Sequence, residues 1–311
     1  MSLATTTRRT LKRASVRLFM GADKFGAHIL PKHYYTSIPD YRWLNENKSV
    51  WCRRVDMTGV EWDLQHQLAW LQQQCDPFYD EVRGLKVYSD VVDGAYGPGY
   101  GPIESQVLHC VCRNVKPKRI IEVGGGVSTA CMLHAVQLNS SEGSPECELS
   151  CIEPFPAAAL SQIQGIELVR SMVQTMPLEC FDRLQPGDIL FIDSTHSVKT
   201  GSDVLYLCLE VIPRLKPGVL IHIHDIFLPY LYQRDVLGQF FDWQETSLLL
   251  ALLKGNGDLR IRCCLSALHY DATAQLKSLM ADYQPRSDAG DGLSASNNEG
   301  HFPSSIWLSV H

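Results

Sequence analysis

Two segments of this 311-residue chain end in residues that can move protons or hold a metal. Asp188–His196 reads DILFIDSTH, and Gly218–Asp225 reads GVLIHIHD. In each, the apolar centre suits a buried strand, and the charged residues emerge at its end. If the two strands are neighbours, Asp193, His196, His224 and Asp225 converge on one crevice, because open α/β sheets bind ligands at the carboxyl edge. His196, with an unperturbed pKa near ~6.5, is then a candidate general base with Asp193 beside it. Alternatively Asp193, His224 and Asp225 hold a divalent metal, and imidazole ligands would favour a transition metal over magnesium or calcium. His222, one strand step before His224, reads as a hydrogen-bonded core histidine.

A third segment, Arg119–Thr129, reads RIIEVGGGVST. It predicts a buried strand, a glycine turn and a hydroxyl-rich helix start. Gly124 and Gly126 let the backbone turn sharply and approach a ligand. Ser128 and Thr129 suit a first helical turn whose free N–H groups meet polar ligand atoms. Glu122, two residues before the first glycine, would repel a pyrophosphate and favour a cationic ligand. Glu153 ends the apolar run Leu149–Ile152 and is placed to accept hydrogen bonds from ribose hydroxyls. Gln174 is a candidate for the adenine edge, and Tyr100 for closing over the cofactor; a loop glutamine and a packing tyrosine are the plain alternatives. Trp243 and Glu245 either line an acceptor pocket or anchor a helix. No G-x-S-x-G elbow marks a serine hydrolase.

The E-x-G-x-G-x-S-T pattern resembles the first motif of class I S-adenosylmethionine (SAM)-dependent methyltransferases. With D-S-T-H at 193–196, Gly201–Ser202–Asp203, L-K-P-G at 215–218 and H-I-H-D at 222–225, the resemblance spans most of residues 95–265. These motifs together are similar to a bacterial branch associated with glycan or natural-product modification. The resemblance implies SAM held by Glu122, Gly124, Gly126 and Glu153, with Asp193, His196 and Asp225 at the reaction edge. It implies O-methylation of a small-molecule or glycan hydroxyl. Metal-dependent relatives such as catechol and macrolide-sugar O-methyltransferases place adjacent carboxylate or amide ligands after the later strand. The pair here is His224–Asp225. Rival readings are a SAM enzyme that cyclises or transfers the aminocarboxypropyl group, an NAD-dependent oxidoreductase, and a non-catalytic SAM-binding partner.

The elements that must position these residues follow from periodicity. From Lys118 onward strands and helices alternate, which predicts a Rossmann-like, doubly wound, mostly parallel seven-stranded α/β sheet with an antiparallel C-terminal hairpin. Strands are expected near 119–123, 149–153, 166–170, 188–193, 218–224, 258–266 and 306–310. Helices are expected at 104–114, 128–138, 157–163, 177–184 and 202–214. Val60, Leu64, Leu68, Leu71 and Phe78 recur at helical intervals and predict a helical cap. The division is therefore an extension and cap over 1–100 and a SAM-binding domain over 101–311.

A net charge of −6, from 28 basic and 34 acidic residues, argues against nucleic-acid binding. No apolar run has the length of a membrane span. The eleven cysteines are odd in number and irregular in spacing, as expected for reduced thiols in a cytoplasmic protein. Arg8, Arg9, Lys12, Arg13 and Arg17 precede the first acid, Asp23; this basic stretch leaves organellar targeting open. A homo-oligomer is compatible with the sequence.

Overall fold

The computed structural model describes residues 14–30, 32, 35–96, 99–295 and 299–311. Four of the five N-terminal basic residues, Arg8, Arg9, Lys12 and Arg13, lie outside them. The chain forms two compact units, 1–51 and 52–311. The first contains a helix at 14–23 and the short helices Tyr41–Glu46 and Lys48–Trp51. Asp40 starts the second of these by accepting the N–H groups of Arg42 and Trp43, which are otherwise without helical partners.

The second unit is built on one seven-stranded sheet: β1 (Arg119–Val123), β2 (Glu148–Ile152), β3 (Glu167–Val169), β4 (Ile189–Ile192), β5 (Leu220–His224), β6 (Leu259–Cys264) and β7 (Ser305–Val310). The order is β3-β2-β1-β4-β5-β7-β6. The first five strands are parallel, and β7 runs antiparallel to both β5 and β6. This is the expected doubly wound sheet with antiparallel terminal strands. β7 inserts between β5 and β6, so the terminal pair is joined by a long connection rather than a tight turn.

Alternation along the strands divides the core into two faces. Ile120, Ile189, Phe191 and Trp307 pack with α1 (Leu64–Cys75), α2 (Lys86–Val92), α3 (Pro102–Val115) and α4 (Val127–Ser141). Ile121, Val123, Leu190, Ile192, Ile221 and Ile223 face the other way, toward α5 (Asp203–Tyr206) and α6 (Glu245–Leu253). α5 continues as a π-helical turn over Leu207–Val211 and a 3₁₀ turn over Ile212–Arg214. Leu68 and Leu71 of the amphipathic stretch and Val87 and Val91 are buried, so α1 and α2 share the core of the sheet.

Buried Asp188 aligns the two central strands at their N-terminal ends. Its carboxylate accepts the N–H groups of Lys118 and Arg119 at 3.2 and 2.9 Å and that of Gln185 at 2.8 Å. All eleven cysteines are free thiols.

The structure differs from the sequence reading in three places. The helices expected at 157–163 and 177–184 are only 3₁₀ turns, Leu160–Gln162 and Leu178–Arg183. Pro156 and the left-handed Gly165 leave too little chain between them for the first, and Pro177 and Pro186 bracket the second at less than three helical turns. Between β6 and β7 lie two further helices, α7 (Leu265–Asp271) and α8 (Thr273–Leu279). Their short apolar pattern merges with that of β6, which hid the change of period.

Candidate active site

The strand order reverses between β1 and β4, and a crevice opens at their carboxyl ends. Gly124 and Asp193 meet there. The Asp193 N–H bonds the Val123 carbonyl at 2.8 Å, and a Cβ on Gly124 would lie 1.8 Å from the Asp193 carbonyl oxygen. Gly124 has φ +82°, so both its conformation and its neighbour demand glycine. Gly125 is also confined: a Cβ would sit 2.4 Å from Cys151 Sγ. The turn therefore brings β1 against β4, in addition to freeing space above it.

Glu122 lies beneath this turn, fully buried. Ser128 Oγ donates to one carboxylate oxygen at 2.7 Å and Thr129 Oγ1 to the other at 2.6 Å. Thr129 Oγ1 also accepts the Gly126 N–H at 3.0 Å. Glu122, Gly126, Ser128 and Thr129 thus form one hydrogen-bonded unit joining β1 to the start of α4. Burial pushes the Glu122 carboxyl up to about 7, against the pull of the two hydroxyls. Glu153 stands beside the turn at the end of β2, half-buried. Its two oxygens accept the Gly125 N–H at 3.2 Å and the Phe155 N–H at 2.7 Å. A carboxylate oxygen has two lone pairs, so each retains capacity for a ligand hydroxyl. This donor and acceptor set, with the N-terminal N–H groups of α4, fits a nucleoside ligand.

At the adjoining strand ends the four charged residues do come together. His224 Nδ1 lies 3.3 Å from Asp193 Oδ1 and 3.8 Å from Asp225 Oδ2. His196 Nε2 lies 3.4 Å from Asp193 Oδ1 and 3.6 Å from Asp225 Oδ2. The other ring nitrogen of His196 is 2.7 Å from Glu245 Oε2, and Glu245 is buried at the start of α6. His196 also has φ +56° and Asp225 φ +52°, conformations that cost non-glycine residues about 1–3 kcal/mol each. The surrounding bonds over-determine them: the His196 carbonyl accepts the N–H groups of Gln244 and Glu245, and Asp225 Oδ1 accepts the Ser304 hydroxyl at 2.8 Å.

These contacts set the charge states. Burial alone would lower the His196 pKa, but its bonds to Asp193 and Glu245 outweigh burial and hold it well above the ordinary value. His224 is likewise raised to about 9, because Asp225, Asp193 and Glu104 together outweigh burial. Asp193 in turn is held well below the usual carboxylate range: burial opposes, and the two imidazolium charges prevail. His222 is the exception. It is stacked on Phe191 with centroids 4.6 Å apart, packs on Trp307, and bonds Tyr100 through Nε2 at 2.9 Å. Burial drives its pKa well below the ordinary value, so it stays a neutral core residue.

Metal binding requires neutral imidazoles and free carboxylate lone pairs. Here the Asp193 and Asp225 carboxylates face the two imidazoles, and among the described residues no group of three His, Cys, Asp or Glu side chains is arranged to hold a metal ion. The Asp193, His224 and Asp225 set does not fit one.

Two other expected residues sit elsewhere. Tyr100 is 2% exposed in the core, with its ring 4.9 Å from that of His224. Gln174 is half-buried and donates to the Gly201 carbonyl at 3.2 Å. Glu104 was missed as a site residue: buried on α3, it accepts the Ser304 N–H at 2.8 Å and lies 3.9 Å from His224 Nε2. Its place in the first turn after Pro102 gave no such signal. Trp243 packs 4.7 Å from the His196 ring.

No curated protein sequence matches this chain. Among solved structures, the chain is similar to the O-methyltransferase TomG of Streptomyces achromogenes, bound to SAM and involved in tomaymycin synthesis. That match has 16% identity, covers 86% of this chain and 97% of the other, and has a TM-score of 0.42. The O-methyltransferase of Bacillus cereus bound to S-adenosylhomocysteine (SAH) has 12% identity, 78% and 100% coverage, and a TM-score of 0.44. The MycE methyltransferase of the mycinamycin pathway, bound to Mg and SAH, has 14% identity, 72% and 53% coverage, and a TM-score of 0.35. Residues 121–226 match the model of a family described as a methyltransferase domain. That span contains Glu122, the glycine turn, Glu153 and both charged strand ends, and over it the chain is similar to methyltransferase domains.

Proposed function

We propose that this protein methylates a hydroxyl group of a small molecule or glycan, with His196 as general base. The observation that carries this reading is the buried contact of His196 Nδ1 with Glu245, which leaves Nε2 facing Asp193 and Asp225 at the edge of the crevice. Bound SAM supplies an electrophilic methyl group on a sulfonium. The glycine turn at Gly124 and Gly126 and the Glu153 carboxylate hold it, Glu153 at the ribose hydroxyls, while Glu122, Ser128 and Thr129 brace the turn from beneath. Because its pKa is raised, His196 acts as a base only above that pKa; Glu245 then keeps the remaining proton on Nδ1 and leaves the lone pair on Nε2. That nitrogen takes the proton of the acceptor hydroxyl as the oxygen gains its methyl group. Asp193 and Asp225 stabilise the imidazolium that results, the same attraction that raises its pKa. His224 neutralises Asp193 and stays a spectator to the proton transfer.

Asp193, His224 and Asp225 act as an ion-pair cluster in this reading and need no divalent metal. Residues 101–311 carry cofactor and acceptor, with residues 1–100 as extension and cap. The test is product analysis with hydroxylated acceptors: SAH together with a methyl ether supports the reading. Methylthioadenosine without a methylated acceptor would point to the rival SAM chemistry.

A further inference from the structure

Beyond the charged cluster, a line of rings leads away from His196. Trp243 contacts His196, Phe227 stacks on Trp243 at 6.3 Å, and Phe302 stacks on Phe227 at 6.2 Å with 8° between their planes. Over the outer face of Phe302, at 4.2 Å, lies the guanidinium of Arg234. Arg234 is 6% exposed, yet its hydrogen bonding is far from complete. Nη2 donates to the Ser287 carbonyl at 3.2 Å, whereas Nε and Nη1 have no partner within the protein. The Tyr270 hydroxyl and Arg286 Nε, also buried, are unpartnered as well, and the Tyr270 ring lies 5.6 Å from Phe302.

A buried guanidinium with unpaired N–H groups is costly, and proteins rarely keep one without a ligand or counter-charge. The charges acting on Arg234 are Asp288, which attracts, and Arg286, which repels. His269 adds none at neutral pH, since burial and the charge of Arg234 lower its pKa to about 4. Arg234 and Arg286 against Asp288 leave one positive charge in surplus.

We infer that Arg234, with Tyr270 and Arg286, binds a carboxylate on the acceptor, at the end remote from the hydroxyl that reacts. One surplus charge matches a monoanion rather than a phosphate dianion. Either unpartnered donor forms a fork with the second N–H of Nη2, which suits the two oxygens of a carboxylate. The identification of this ligand as the acceptor rests on the proposed methylation; the carboxylate site itself does not.

The test is calorimetry on the full chain, with and without SAH, using 4-hydroxybenzoate, 4-hydroxybenzamide and inorganic phosphate. The acid should bind about 10- to 100-fold more tightly than the amide, and phosphate should not compete with it. Arg234→Met should abolish that preference and leave SAH affinity unchanged. Because it removes an unpaired buried charge, it should not lower the melting temperature of the ligand-free protein; an Arg234 that merely braces the fold would lower it. Equal binding of acid and amide by the wild type, or no binding of the acid, overturns the inference without recourse to any variant. Phosphate that competes through Arg234 also overturns it, in favour of a phosphoryl ligand. If the acid binds through Arg234 but no methyl ether forms with any acceptor, the proposed function falls and the carboxylate site stands.

Discussion

Glu245 Oε2 and His196 Nδ1 are 2.7 Å apart, both side chains buried, although 49 residues separate them in the chain. Each depends on the other. Without His196 the Glu245 carboxylate would be a buried lone charge, and burial already raises its pKa. Without Glu245 the imidazole loses the partner that selects its tautomer.

Glu245→Gln keeps the size of the side chain and removes its charge. The pKa of His196 should fall, and the limb of the pH–rate profile that belongs to it should move to lower pH. Turnover should drop about tenfold or more as the nascent imidazolium loses its buried counter-charge. Histidine-resolved NMR titration of wild type and variant checks the first point, and steady-state kinetics the second.

The same cluster makes stability depend on pH with a definite sign. His224 is raised from 6.5 to about 9, so it stabilises the fold fully below pH 6.5, and that contribution fades as pH rises from there through 9. Asp193 is depressed, so its contribution is present above the ordinary carboxylate value of 3.8 and is lost as pH falls below it. Urea unfolding at a series of pH values should show both declines, and Asp193→Asn should weaken both together.

Gly124 offers a backbone test. A side chain there would collide with the Asp193 carbonyl, and φ +82° disfavours any L residue. Gly124→Val should abolish SAM binding and destabilise the protein by more than about 1 kcal/mol. Gly143→Ala is the control: its φ is +92°, but a Cβ there meets nothing within 4 Å. It should bind SAM normally, as calorimetry would show.

Arg113 tests the scaffold apart from the site. Its side chain is 2% exposed, pairs with Glu81 at 2.8 Å and Glu142 at 2.6 Å, and also bonds Asn139. It ties α3 to the end of α4 and to the short helix Tyr79–Val82. Arg113→Met should cost about 1–2 kcal/mol in urea unfolding: Glu81 and Glu142 lose their shared partner, but both reach solvent and Glu81 keeps His109. SAM affinity at low temperature should be unchanged.

The sheet was legible in the sequence because β1, β4 and β5 are short apolar runs that announce buried parallel strands, and their last residues mark the crevice by position alone. The glycine turn was legible for the same local reason. What was not legible depends on long-range packing. Glu122 reads as a ligand-facing acid, yet Ser128 and Thr129, which look like a helix start, take both its oxygens. Tyr100 reads as an aromatic that either closes over the cofactor or packs, and only the fold shows its hydroxyl meeting His222 across the core. Glu104 and Arg234 owe their interest to burial and to partners made or missing in three dimensions. No spacing in the chain encodes either.

The central claim is that His196 takes the acceptor proton in a SAM-dependent methylation. The direct measurement is turnover of His196→Ala beside its SAM affinity, with SAH release and calorimetry as readouts. The account predicts a loss of roughly 10²–10⁴-fold in turnover, with SAM affinity nearly unchanged and the chelated wild type fully active. Undiminished turnover in His196→Ala would contradict it, and a wild type silenced by chelation and restored by one divalent ion would assign the chemistry to a metal.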